Sequence, residues 1–200
     1  MPFTYKAIDL GFWIIPLVIV VCLATTNSVN LTDGLDGLAG GVSVVYSAIF
    51  IAISLIFARL AFNSGELDSF VNLYNNPSLI LAIFMGSIMA FLVFNTNKAS
   101  IFMGDVGSLS IGGLFASSAC ILGFELILPI VGIMFVVSAL SVILQVAYFK
   151  KTKGKRIFKM APIHHHFQMS GYSEAKIGYI YQTITLIVGL VTILLTLICI

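Results

Sequence analysis

Charge is the scarcest commodity in this 200-residue chain: 9% of residues are charged, ten Lys+Arg against eight Asp+Glu, where an average soluble protein carries roughly 25%. That is too little to coat a water-soluble globule of this size, so a soluble enzyme is excluded. The net charge of +2 is too small to indicate a nucleic-acid partner. Cysteine is equally sparse. Cys22, Cys120 and Cys199 lie in apolar runs without paired spacing, which excludes a disulfide framework or a thiolate metal site and leaves them as small core hydrophobes.

What is present is apolar length: 60% of the chain is hydrophobic. Six runs near the roughly 20 residues a spanning helix needs cover 12–29, 37–61, 78–96, 105–123, 126–149 and 176–199. They lack the two-residue alternation of a barrel strand, so the expected fold is all-α, a polytopic membrane protein of about six transmembrane helices. Pro16 and the lack of a small-x-small pattern argue that the first run is a retained helix, not a removable signal peptide. Phe12, Trp13, Tyr148 and Phe149 suit the aromatic belt.

Alternating connections put loops 30–36, 97–104 and 150–175 on one face, with 62–77, a tight turn near 124 and both termini on the other. Lys98, Lys150, Lys151, Lys153, Lys155, Arg156, Lys159 and Lys176 belong to the first face, only Lys6 and Arg59 to the second. The bias makes the first face cytoplasmic. The opposite face carries Asp9, Glu66, Asp68 and Glu125 as ordinary water-facing residues.

All three cytoplasmic connections hold polar residues that a membrane protein does not place at helix ends without cause. In the first, Asn27, Asn30, Asp33 and Asp36 recur every three residues, so a continuing helix would carry them along one side. Gly34, Gly37 and Gly40 share the period and permit close approach. The second runs from Asn95 through Asn97 and Phe102 to Asp105 at the start of the fourth helix, where free amide N–H groups suit phosphate oxygens and Ser108 can help cap the first turn. The third joins a basic run, suited to anionic headgroups, to His164, His165 and His166. Adjacent histidines make poor joint zinc ligands, so binding or proton handling is the better role.

Asp33, Asp36 and Asp105 gathered at one face would repel one another and any anionic substrate unless a divalent cation lay among them. Hard carboxylate and amide oxygens favour Mg²⁺ or Mn²⁺. Such an ion beside helix N-termini and cationic side chains is the equipment of phosphoryl transfer, and the membrane setting suggests a lipid phosphate and a soluble nucleotide-type diphosphate as reactants.

Three stretches, Asn30-Leu-Thr-Asp-Gly-Leu-Asp-Gly-Leu-Ala39, Ser100-Ile-Phe-Met-Gly-Asp-Val-Gly-Ser108 and Ala161-Pro-Ile-His-His-His-Phe167, closely resemble the phospho-N-acetylmuramoyl-pentapeptide transferase family. This family belongs to the polyprenyl-phosphate N-acetylhexosamine-1-phosphate transferases. The resemblance implies Mg²⁺-dependent transfer of phospho-MurNAc-pentapeptide from UDP-MurNAc-pentapeptide to undecaprenyl phosphate, giving lipid I and UMP in peptidoglycan synthesis at the bacterial inner membrane. It implies Asp33, Asp36, Asp105, His164 and His165 as the catalytic set, with Asp105 the Mg²⁺ ligand. Asn30, Asp33, Gly34, Leu35 and Asp36 would form the nucleoside pocket, Phe102 stacking on uracil and Asn95 nearby. The three histidines, His166 among them, would line the sugar-phosphate and peptide side, and Gln145 stands where the family has a glutamine. Membrane lipids are implied partners, and a homodimer is left open.

The resemblance also implies about ten spanning helices and an Asp-Asp-x-x-Lys loop. No two acidic residues are adjacent here. The chain is therefore expected to be the C-terminal portion of a longer transferase, with little or no activity alone. A related transferase of GlcNAc-1-phosphate is the nearest alternative, which the uninterrupted His-His-His disfavours. An ion-coupled transporter is more distant, because its carboxylates would sit near the midplane on broken helices.

Overall fold

The computed structural model describes residues 9–96 and 98–199; Lys6 and Asn97 lie outside them. The described residues form helices only: α1 (Ile14–Thr32) after a 3₁₀ turn (Gly11–Trp13), α2 (Leu38–Asn63), α3 (Asp68–Asn95), α4 (Gly104–Leu122), α5 (Leu128–Val131), α6 (Ile133–Lys151), α7 (Ile163–Gln168) and α8 (Glu174–Cys199). All but α5 and α7 are long and apolar enough to cross a membrane, six in number, as expected for a multi-pass membrane protein.

Prolines and glycines shape these helices at three places. Pro16 does not interrupt α1, because it falls in the first turn, whose amides have no intrahelical partner. The third helix begins at Asp68, ten residues before the expected 78, and runs through Pro77. The carbonyl that Pro77 leaves without an amide is that of Leu73; the next carbonyl, of Tyr74, accepts the hydroxyls of Ser54 on α2 and Ser78. With 28 residues, α3 is about 42 Å long against a hydrocarbon core of about 30 Å, so it tilts or projects. Finally, the single run expected over 126–149 is broken. Left-handed Gly123 ends α4, with the Phe124 amide returning to the Ala119 carbonyl. Pro129 opens the short α5, and Gly132 separates it from α6.

Helix α2 is the axis of the bundle, packed against α3 and α8, while α1 pairs with α4. Small residues set these approaches. A Cβ on Gly40 would stand 2.8 Å from Leu92 of α3, one on Gly189 2.6 Å from Ile49, and one on Gly112 2.5 Å from the Thr26 backbone. Around α2 an aromatic core forms: the Tyr46 ring lies 4.1 Å from Phe115 and 5.1 Å from Phe50, which meets Phe124 edge-on. The cysteines are free but not core residues; Cys22 and Cys120 are half-buried and Cys199 is exposed. Phe12 and Trp13 stand exposed before α1.

Candidate functional site

The helix does not continue through the first polar stretch. It ends at Thr32, and Asp33 occupies the C-cap with φ −79° and ψ 51°, its amide returning to the Asn30 carbonyl. Gly37, at φ +69°, reverses the chain into α2, a left-handed position that favours glycine. The expected four-residue stripe is therefore cut to three: Asn27 turns back to the Leu23 carbonyl, while Asn30, Asp33 and Asp36 face one cavity.

The second connection is bolted to the first. Asp36 accepts the Ala99 amide at 2.9 Å. Buried Asn95 accepts the Gly37 amide at 3.1 Å and donates to the Ile101 carbonyl at 2.7 Å. Both residues thus line the cavity while their side chains brace its loops. Asp105 stands exposed in the first turn of α4 and accepts a 2.9 Å hydrogen bond from the Asn30 side chain, which also donates to Ser108. Ser108 does not cap the helix as expected; its hydroxyl donates to the Gly104 carbonyl.

The cavity measures about 450 Å³ and opens at the end of the bundle where all three connections meet. Asn30, Asp33, Gly34, Leu35, Asp36, Asn95, Phe102 and Asp105 are brought together along it, joined by Met103, Gly104, Gln168 and Glu174. Leu35 is largely buried in the core, whereas the Phe102 ring is 73% exposed. Burial, and then the neighbouring Asp105 carboxylate, push Asp33 up to about 6.

Against expectation, none of the three histidines is among the residues that line the cavity, and they divide three ways. His164 is fully buried, with both ring nitrogens unpartnered, and burial together with His165 lowers it to about 4. Its ring backs onto Gly34, where a Cβ would collide with Nε2. His165 pairs through Nδ1 with Gln168 Oε1 at 2.9 Å, and Gln168 donates in turn to Glu174 at 2.9 Å. His166 is turned away: its Nδ1 accepts the Lys159 amide at 3.1 Å, and its ring meets Phe158 edge-on. Gln145 is likewise not at the cavity. Its oxygen accepts the amides of Ile157 and Phe158, and its nitrogen donates to the Phe158 carbonyl. Gln145 and His166 together tie the basic strap 150–159 to α6 and α7.

Sequence reasoning missed Gln168 and Glu174. The available signal was a lone carboxylate at the start of the last helix, on the face already crowded with acidic groups. Among the described residues no three or more His, Cys, Asp or Glu side chains converge as a metal cage. Mg²⁺ usually needs only one or two carboxylates and completes its shell with water and substrate phosphate. Asp33 beside Asp105, two hard donors whose repulsion helps raise Asp33, fits that pattern.

Residues 1–123 match the glycosyl transferase family 4 model. The chain is 48% identical over 190 residues to a phospho-N-acetylmuramoyl-pentapeptide-transferase of Desulfotalea psychrophila, covering 92% of this chain and 52% of that protein. It is 46% identical to the protein of that name from Clostridium botulinum (96% and 54% covered) and 44% identical to that from a Thermoanaerobacter species (93% and 54%). The chain spans about half the length of the curated relatives it matches.

Proposed function

The chain belongs to glycosyl transferase family 4, and on that premise we propose that its cavity serves Mg²⁺-dependent transfer of phospho-MurNAc-pentapeptide from UDP-MurNAc-pentapeptide to undecaprenyl phosphate. The products would be lipid I and UMP, and the cavity would face the cytoplasm at the bacterial inner membrane. One observation carries the reading: side chains from three sequence-distant connections line one cavity at the end of the bundle, two carboxylates among them in electrostatic conflict. A transporter reading would want its carboxylates at mid-membrane.

Asp105 and Asp33 would hold Mg²⁺, which when bound offsets diphosphate charge and draws electrons from the transferring phosphorus. Asn30 holds the Asp105 carboxylate in place by its 2.9 Å hydrogen bond. The opening amides of α4 offer donors to phosphate oxygens, and the exposed Phe102 ring offers a stacking face to a nucleobase. Asp36 and Asn95 keep the two acidic loops at fixed separation. The basic strap 150–159 would suit an anionic lipid head at the membrane surface.

The experiment is calorimetric titration of the purified chain with UDP-MurNAc-pentapeptide, with Mg²⁺ and with chelator, beside an assay of UMP release to undecaprenyl phosphate. Magnesium-dependent donor binding that Asp105→Asn abolishes supports the reading. Because the 200 residues hold no Asp-Asp-x-x-Lys, turnover by this chain alone should be slight. Preference for UDP-GlcNAc would redirect the assignment to a GlcNAc-1-phosphate transferase.

A further inference from the structure

The chain from Glu174 through Gln168 to His165 has a direction. A carboxylate has no proton to give, so Glu174 can only accept, and the partner it takes at 2.9 Å is the Gln168 amide nitrogen. That fixes the amide: with nitrogen toward Glu174, the Gln168 oxygen is what meets His165 Nδ1, also at 2.9 Å. An oxygen acceptor requires Nδ1 to carry the proton. The other nitrogen, Nε2, lies against Gly34, 2.9 Å from where a Cβ on that residue would be. Gly34, Gln168 and Glu174 all line the cavity.

We infer that Gln168 and Glu174 are positioning residues that lock His165 in its Nδ1–H tautomer, so that the Nε2 lone pair is directed toward Gly34, a residue of the cavity wall. The next residue supplies an internal contrast. His166 Nδ1 accepts the Lys159 amide, so its neutral ring carries the proton on Nε2. Two adjacent histidines are thereby held in opposite tautomers by unrelated partners. A ring that only filled space would need neither relay, and second-sphere carboxylates orient imidazoles by this same logic. The tautomer assignment rests on these hydrogen bonds and not on the transfer reading.

The test is two-bond ¹⁵N–¹H correlation of the imidazoles of the intact chain in detergent at alkaline pH, without substrate. The chain has three histidines, assigned through His166→Gln and His164→Phe. Wild type should show His165 as Nδ1–H and His166 as Nε2–H. Glu174→Leu should shift the His165 tautomer ratio by roughly fivefold or more toward Nε2–H, the weight of one hydrogen bond, leaving His166 unchanged. The double variant Q168E with E174Q restores an acceptor-only group beside His165 and should restore Nδ1–H. Finding Nε2–H at His165 in wild type, or no change in a folded E174L, overturns the inference. Since no substrate is present, that failure is distinct from a failure of UMP release.

Discussion

Asn30 and Asp105, 75 positions apart in sequence, meet through a 2.9 Å hydrogen bond that joins the end of α1 to the start of α4. The same Asn30 nitrogen reaches Ser108, so one amide group sets where the exposed carboxylate of Asp105 stands.

Removing that donor should tell at once. A hydrogen bond to a charged group contributes about 1.5–3 kcal/mol, so Asn30→Ala should weaken magnesium-dependent donor binding by roughly ten- to a hundredfold. Asn30→Asp should be worse than Ala, because it adds a third carboxylate to a pair already in conflict. Calorimetric affinity for the donor with saturating Mg²⁺ checks both, and equal affinities for Ala and Asp would contradict the electrostatic account.

Gly34 is the contact between the first loop and α7. Gly34→Ala drives a methyl into the ring nitrogens of His164 and His165, and overpacking of this kind costs about 1–3 kcal/mol. Gly86→Ala, which would meet nothing within 4 Å, is the control and should be neutral or slightly stabilising. Thermal melting in detergent separates the two, with donor binding lost only in G34A.

The pH dependence of stability should show two opposed contributions. His164 is lowered from 6.5 to about 4, so between these values the unfolded chain binds the extra proton and stability falls as pH falls. Asp33 is raised from 3.8 to about 6. In its window the folded chain binds the extra proton, so its contribution is present at low pH and lost as pH rises through 6. The shifts are nearly equal and opposite, and wild type should be fairly flat from pH 6.5 to 4. His164→Phe should gain relative stability on acidification and Asp33→Asn should lose it, measured as the melting temperature across that range. Parallel profiles for the two variants would refute the pairing.

Gln145 should matter through the strap, not the cavity. Gln145→Ala frees the amides of Ile157 and Phe158, and tryptic cleavage at Lys155, Arg156 and Lys159 should accelerate severalfold. Gln145→Glu keeps the acceptor for both amides and should retain most of the protection. Donor affinity should change less in Q145A than in N30A.

Much of the bundle was legible because apolar length is a direct physical requirement of the membrane. Six spans follow from it, and the gathering of Asn30, Asp33 and Asp105 follows from alternation of sides. What escaped notice depends on tertiary partners. Nothing local distinguishes Pro77 as a proline that a helix carries through its interior, buried among its neighbours. Asp36 and Asn95 have the chemistry of ligand contacts, yet their atoms go to backbone amides 63 and 58 positions away. Gln168 carries no charge and Glu174 sits in the first turn of α8, where an acidic residue has an ordinary dipole explanation.

Asn95 grips Gly37 with its oxygen and Ile101 with its nitrogen, so a single buried carboxamide is the common hinge pin of both acidic walls. Losing it would free the Gly37 turn and the Ile101 loop in one step, so a single substitution there loosens both acidic walls.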